Sequence, residues 1–191
     1  MTWIKICGVT TPGDAERAIE LGASAIGLIF APSKRQVSTT HAREVARVVR
    51  GRAELVGVFK ETASIPAVLE ALGLDRLQIH GPGNPAPRLP VLRAVRPEDL
   101  GRLPPARDGE MILIDGSEGQ GRAFDWALAA SVRRPFVLAG GLRPENVGLA
   151  MAAARPFGVD VTSGVEAEPG IKDIEKMRRF FAAVKEADGD C

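Results

Sequence analysis

Along the chain, short runs of Val, Ile, Leu and Phe alternate with stretches whose apolar residues recur every three or four positions. The runs fall at 3–7, 25–30, 54–59, 75–80, 91–95, 110–115, 135–139 and 158–162, and their length and β-branched character predict buried strands. Between them the spacing predicts helices. Thr11-Pro12 opens one that runs to Leu21, with a hydroxyl as N-cap and proline in the first turn. Others cover 40–50, 64–72, 97–103, 125–132, 144–154 and 172–186, and in the last Ile174, Met177, Phe181 and Val184 share one face. Eight strands alternating with helices imply a parallel sheet, and eight is the number that closes as a barrel. The expected fold is α/β, a single (β/α)8 TIM barrel domain over residues 1–191. It is compact, below the usual size of about 250 residues. One unit looks eroded: the prolines between Gly81 and Pro90 predict a loop or one short turn where the helix between strands four and five would stand.

Alternation within the strands sorts side chains to two faces. If Ile4 and Ile6 face the helices, Trp3, Lys5 and Cys7 point into the barrel. By the same rule Gln78, His80, Asp115, Asp160 and Thr162 point inward, while Leu77, Ile79, Ile112, Ile114, Val159 and Val161 point outward. A satisfied polar plug would give this pattern too. Convergence from strands one, four, six and eight on the C-terminal ends, where barrel enzymes carry their chemistry, favours a site. Strand seven runs into Gly140-Gly141 and strand eight into Ser163-Gly164. Glycines let backbone N–H groups approach an anion, and the loops after strands seven and eight are the recurrent phosphate cradle of this fold.

Composition narrows the partners. Lys+Arg 25 against Asp+Glu 24 gives a net charge of +1, so no long-range field favours nucleic acid or an anionic membrane. An anionic ligand must be held locally. The two cysteines, Cys7 and Cys191, show neither metal-ligand spacing nor a disulfide framework, which points to a reducing, cytoplasmic setting. No apolar run approaches the roughly 20 residues that span a bilayer, and the N-terminus lacks a signal-like pattern.

Several peptides carry a resemblance. Lys5-Ile6-Cys7-Gly8-Val9-Thr10, Gly27 to Arg35, Gly57-Val58-Phe59, Leu77-Gln78-Ile79-His80-Gly81, Gly121 to Trp126, Leu138 to Val147, and Asp160 to Glu166 through Pro169-Gly170 resemble, in order and over nearly the whole chain, the phosphoribosylanthranilate isomerases of tryptophan biosynthesis. The resemblance implies an Amadori rearrangement of N-(5-phosphoribosyl)anthranilate to 1-(2-carboxyphenylamino)-1-deoxyribulose 5-phosphate, with no cofactor and no metal. It implies Cys7 as general base and Asp125 as general acid. A thiol near 8.5 must then be lowered and an aspartate near 3.9 raised. Lys5 could supply the first shift, and desolvation beside Phe124 and Trp126 the second. By the same carry-over Arg35 meets the anthranilate carboxylate, Asp160 the ribose hydroxyls and His80 the substrate, while Gly140, Gly141, Ser163 and Gly164 hold phosphate.

Each position also has a plainer reading: Asp125 as a helix cap, Asp160 as the partner of Lys5, His80 as a hydrogen-bonded structural residue. Glu118 departs from the family's glycine-rich run before the acid. The third helical unit is also short. A related isomerase of histidine biosynthesis would carry an aspartate at position 7 and two half-barrel repeats, and a carbon–carbon lyase such as indoleglycerol-phosphate synthase would need a catalytic lysine with a glutamate pair. A non-catalytic phosphosugar-binding barrel is the third rival. The expected partner is a small phosphosugar-anthranilate, with no nucleic acid and no membrane, in a monomer or homodimer.

Overall fold

The computed structural model describes residues 1–63, 65–81, 89–103, 105, 107–116 and 124–189. Eight parallel strands close into a barrel in sequence order. They are β1 (Trp3–Cys7), β2 (Ala25–Ile29), β3 (Glu54–Phe59), β4 (Arg76–Ile79), β5 (Val91–Val95), β6 (Glu110–Asp115), β7 (Phe136–Ala139) and β8 (Gly158–Val161). The ring shuts where β1 pairs with β8, in a register that sets Lys5 beside Asp160. The helices are α1 (Pro12–Leu21), α2 (Thr39–Val49), α3 (Ile65–Leu72), α4 (Val147–Ala154) and α5 (Ile174–Ala187). Among the described residues no helix is long and apolar enough to cross a membrane.

Local chemistry accounts for the element ends. Thr11 caps α1 by accepting from the Asp14 amide at 3.1 Å, and Gly22 at φ 106 ends it in the left-handed conformation that glycine adopts without strain. Asp173 caps α5 through the amides of Glu175 and Lys176. Asp188, just beyond that helix, accepts from both the Thr2 amide at 2.7 Å and its hydroxyl at 2.6 Å, which ties the polar C-terminal stretch to the start of the chain. Cys191 itself lies outside the described residues.

Three expected helices differ. Residues Pro97–Arg102 and Trp126–Ser131 are 3-10 turns, each of six residues and too short to propagate an α-helix. Prolines follow closely in both cases, at Pro104 and Pro135. The helix expected from 144 begins at Val147, because the Asn146 side chain closes the preceding turn: its Oδ1 accepts from the Arg143 amide at 2.7 Å and its Nδ2 donates to the Gly141 carbonyl at 3.0 Å. The stretch before α5 holds a 3-10 turn (Ser163–Val165) and a small antiparallel hairpin, β9 (Glu166–Glu168) and β10 (Ile171–Lys172), which the hydrophobic pattern did not indicate. The prolines of 82–88 lie outside the described residues; β4 and β5 on either side pair directly.

Two apolar layers hold the barrel. The outer one, between strands and helices, contains Ile4, Ile6, Leu77, Ile79, Ile112, Ile114, Val159 and Val161 together with Phe180 and Phe181 of α5. The inner one is small: Leu92, Leu113, Val137 and Ala139, with Trp3, Ala94 and Met111 packed against them. Alternation therefore works as expected in β1, β4, β6 and β8, and the inward positions above this apolar floor are polar: Lys5, Gln78, Asp115 and Asp160 are all buried.

Candidate active site

Cys7 ends β1 with 3% of its surface exposed. Its register partner on β2 is Gly27, where a Cβ would lie 2.9 Å from the Cys7 sulfur and 3.1 Å from Lys5 Nζ. Glycine there makes the space in which thiol and ammonium converge. Gly8 follows at φ +66, and a side chain on it would meet the Arg35 Cδ at 2.8 Å. The left-handed turn redirects the chain and lets Arg35 reach over it.

Lys5 Nζ donates to Asp160 Oδ1 at 2.8 Å inside the barrel. Burial pulls the Lys5 ammonium down, but Asp160 and Cys7 outweigh it and hold its pKa above the ordinary lysine value. Burial pushes the Cys7 thiol up; Lys5 draws it back and Asp160 opposes that, leaving it above its ordinary value in the empty site. The lowering expected from Lys5 is thus present but outweighed. Asp160 realises its plainer reading as the partner of Lys5, while still lining the cavity.

That cavity, about 130 Å³, is lined by Cys7, Arg35, Gln78, His80, Asp115 and Asp160 among others. His80 receives a 2.7 Å contact between its Nε2 and the Gln78 amide nitrogen, so it is held as well as exposed to the cavity. His80 and Asp115 also line a neighbouring hollow of about 250 Å³. Asp115, Asp160 and Thr162 border a third space of about 30 Å³ against Gly140, Gly141 and Ser163. Three spaces therefore meet around one carboxylate at the C-terminal end of β6. A larger hollow of about 570 Å³ lies by Arg133, Arg134 and Arg155, before β7 and β8, away from Cys7.

In the glycine loops, Gly140 has φ +87 and a Cβ on it would stand 2.6 Å from the Gly116 nitrogen. On Gly164 it would stand 1.9 Å from the Leu142 carbonyl oxygen. Only glycine allows these backbones such proximity, the property an anion cradle needs.

Asp125 is elsewhere. It is exposed, caps the Trp126–Ser131 turn by accepting from the Ala127 amide at 3.1 Å, and does not line the Cys7 cavity. Phe124 and Trp126 beside it do not shield it from solvent. Phe124 packs on Gly116, where a Cβ would meet its ring at 2.3 Å, which keeps Asp125 near the end of β6. Glu118 and residues 117–123 lie outside the described residues.

Two functional-looking residues were not singled out from sequence. Glu166 accepts from Arg35 through Nε at 2.8 Å and Nη2 at 2.7 Å, and from Lys172 Nζ at 3.1 Å. Lys172 also donates to the Cys7 carbonyl at 2.6 Å. Burial alone would raise the Glu166 carboxyl, but its two cations hold it below the usual glutamate range. The available signal was Glu166 closing the quoted strand-eight peptide; Lys172 was hidden in the expected start of a helix. Among the described residues no group of His, Cys, Asp and Glu is arranged to hold a metal ion.

Residues 4–183 match the family model described as N-(5'phosphoribosyl)anthranilate (PRA) isomerase. An N-(5'-phosphoribosyl)anthranilate isomerase from Acidithiobacillus ferrooxidans is 40% identical, with 97% of this chain and 98% of that protein covered. One from Pseudomonas aeruginosa is 41% identical over 95% and 94%. The crystal structure of phosphoribosyl anthranilate isomerase from Thermotoga maritima superposes with a TM-score of 0.85 at 37% identity, covering 99% of this chain and 100% of that one. Another, in complex with reduced 1-(o-carboxyphenylamino)-1-deoxyribulose 5-phosphate, gives 0.82 at 36% with the same coverage. With the barrel, its glycine-lined mouth and nearly the whole length matched, the chain belongs to the phosphoribosylanthranilate isomerase family.

Proposed function

We propose that this protein isomerises N-(5-phosphoribosyl)anthranilate to 1-(2-carboxyphenylamino)-1-deoxyribulose 5-phosphate, in the cytoplasm, as a step of tryptophan biosynthesis. Asp125 protonates the furanose ring oxygen, the C1–O bond breaks, and the anilino nitrogen's lone pair forms the Schiff base. The Cys7 thiolate then removes the C2 proton, the electron pair moves into the C1–C2 bond, and the resulting enolamine tautomerises to the aminoketose. Atoms are conserved and no net oxidation occurs. Proton transfers by positioned groups contribute typically about 10²–10⁴-fold each.

The observation that carries this reading is the lining the spaces share: Asp115 borders all three, and Asp160 and Thr162 border both the Cys7 cavity and the space at the glycine loops. A ligand spanning those two would run from Gly140 and Ser163, past Asp160 and Cys7, to Arg35. Those spaces suit phosphate at the loops, ribose hydroxyls near Asp160, and an aromatic carboxylate at Arg35, with His80 beside the ring. The acid has to approach from its cap position near Gly116. The reaction uses no cofactor and no metal, and the chain carries it out as a monomer or homodimer.

The test is to generate phosphoribosylanthranilate in situ and follow loss of its fluorescence with purified protein. Enzyme-dependent loss with the aminoketose as product supports the proposal. A folded protein that binds a phosphosugar yet leaves the fluorescence unchanged refutes it in favour of a binding barrel.

A further inference from the structure

The guanidinium of Arg35 has two edges on which a carboxylate can form paired hydrogen bonds. Glu166 occupies the side-on edge: Nε donates to Oε1 at 2.8 Å and to Oε2 at 3.1 Å, and Nη2 donates to Oε2 at 2.7 Å. Glu166 cannot swing away, because the same carboxylate accepts from Lys172 Nζ at 3.1 Å and from the Gly170 amide at 3.2 Å. Lys172 is wholly buried, and its ammonium is spent on Glu166, the Cys7 carbonyl at 2.6 Å and the Thr162 carbonyl at 3.3 Å. It has no hydrogen left for a ligand.

The cluster is held from both sides. Arg35 and Lys172 both donate to the Glu166 carboxylate, and the Lys172 amide donates to the buried Asp14 carboxylate at 3.3 Å. Burial pulls the Lys172 ammonium below the ordinary lysine value, with Glu166 opposing that shift. The side chains involved are 13%, 4% and 0% exposed for Arg35, Glu166 and Lys172. The cavity beside Cys7 is the open side of the cluster.

We propose that Glu166 and Lys172 make the pocket selective for a ligand bearing one carboxylate, Glu166 by fixing the plane of Arg35 so that its remaining edge is left for the ligand, and Lys172 by holding Glu166 in that position. Both are positioning residues acting through Arg35. The inference rests on the reading above that Arg35 receives the anthranilate carboxylate.

The experiment compares, by calorimetry, binding of the reduced aminoketose phosphate with that of the same compound lacking its carboxyl group. Wild-type protein prefers the carboxylate by at least about tenfold, the scale of a hydrogen bond to a charged group. Lys172→Met and Glu166→Gln are each expected to abolish that preference while the carboxyl-free ligand keeps its affinity within about twofold. Arg35→Lys, which keeps the charge but lacks the second edge, is expected to do the same without touching a buried residue. Preference retained in any folded variant overturns the proposal, as does equal weakening of both ligands, which is the mark of a merely structural role. A rise in carboxylate affinity in Glu166→Gln overturns the locking of Arg35 in favour of charge alone. If Arg35→Gln keeps the preference, the reading of Arg35 itself has failed; loss there with no change at 166 and 172 fails this inference only.

Discussion

Asp160→Asn isolates the most deeply buried charge in the barrel. It leaves the Lys5 ammonium, 0% exposed, facing a neutral amide at a distance of 2.8 Å. Removing one partner of a buried pair costs about 3–5 kcal/mol. Loss of the Lys5 proton limits the penalty: from an ordinary lysine value of 10.5, neutralisation at pH 7 costs roughly 5 kcal/mol at about 1.36 kcal/mol per pH unit. The two limits agree, so a loss of about 3–5 kcal/mol is expected, or about 6–20 °C in Tm. The sign with pH follows. In the variant, folded Lys5 binds fewer protons than unfolded Lys5, so stability rises with pH up to the ordinary lysine range. In the wild type the folded Lys5 pKa is raised, so the contribution of the Lys5 charge is complete below the unfolded value and is lost as pH climbs through the folded one. The gap between the two proteins should therefore be widest near neutrality and shrink toward pH 10.5. Urea unfolding of both at pH 7 and pH 9.5 measures it, with Lys5→Met/Asp160→Leu as the variant that removes both charges and restores most of the stability. A loss under about 1 kcal/mol at pH 7, or one that stays constant with pH, would refute the account of a buried cation held by its partner.

Cys7→Ala and Asp125→Ala should each lower kcat by at least about 100-fold, with the fold retained and, for Asp125→Ala, a loss of about 0.5–2 kcal/mol from its cap; full turnover in either removes that residue from the mechanism. Because burial holds the Cys7 thiol above its ordinary value in the empty site, kcat/KM should climb with pH through the alkaline range if the thiolate is the base, as proposed. A flat profile there would exclude that thiol as the base of the free enzyme. Gly164→Ala places a methyl 1.9 Å from the Leu142 carbonyl oxygen, so the loop must move; KM should rise by at least about tenfold, with a smaller change in kcat. An unaltered KM would separate this loop from phosphate binding.

The strands were legible because a closed parallel barrel buries both strand faces, which demands apolar runs such as Leu55 to Phe59 and Ile112 to Ile114. The polar interruptions were equally legible, since period two leaves Lys5, Gln78 and Asp160 no direction but inward. What did not show was contact between distant segments. Arg35 and Glu166 are 131 positions apart, and nothing local marks either as the other's partner. Lys172 read as the start of a helix, yet it sits buried in a two-residue strand because the Asp173 cap delays α5. The 3-10 turns were misjudged for a related reason. Periodicity over six residues fits an α-helix as well as a tighter turn, and the flanking prolines decide between them.

The distribution of regular helices explains how a barrel this short tolerates so many buried charges. Around β1 the backing is complete: α5 packs on both α4 and α1, and α1 on α2, so the strands that carry Cys7, Lys5 and Asp160 lie against full helices. The losses fall on the far side, where β5 and β6 are followed by 3-10 turns. Charges taken from water need neighbours that cannot relax away, because an ion pair held loosely recovers little of its desolvation cost. Lys5–Asp160 and Arg35–Glu166–Lys172 occupy that regular half, with the apolar floor of Leu92, Leu113 and Val137 beneath the barrel interior. The proposed acid stands on the other half, at the start of a short turn and in contact with solvent. The proposed base and acid are thereby given unequal scaffolds. Cys7 is fixed by β1, by Gly27 and by the Lys172 bond to its own carbonyl, while Asp125 is held by its cap and by the packing of Phe124 on Gly116. Such a division suits a reaction in which the thiolate must meet one carbon with precision, whereas the acid has only to reach a ring oxygen from the mouth of the barrel.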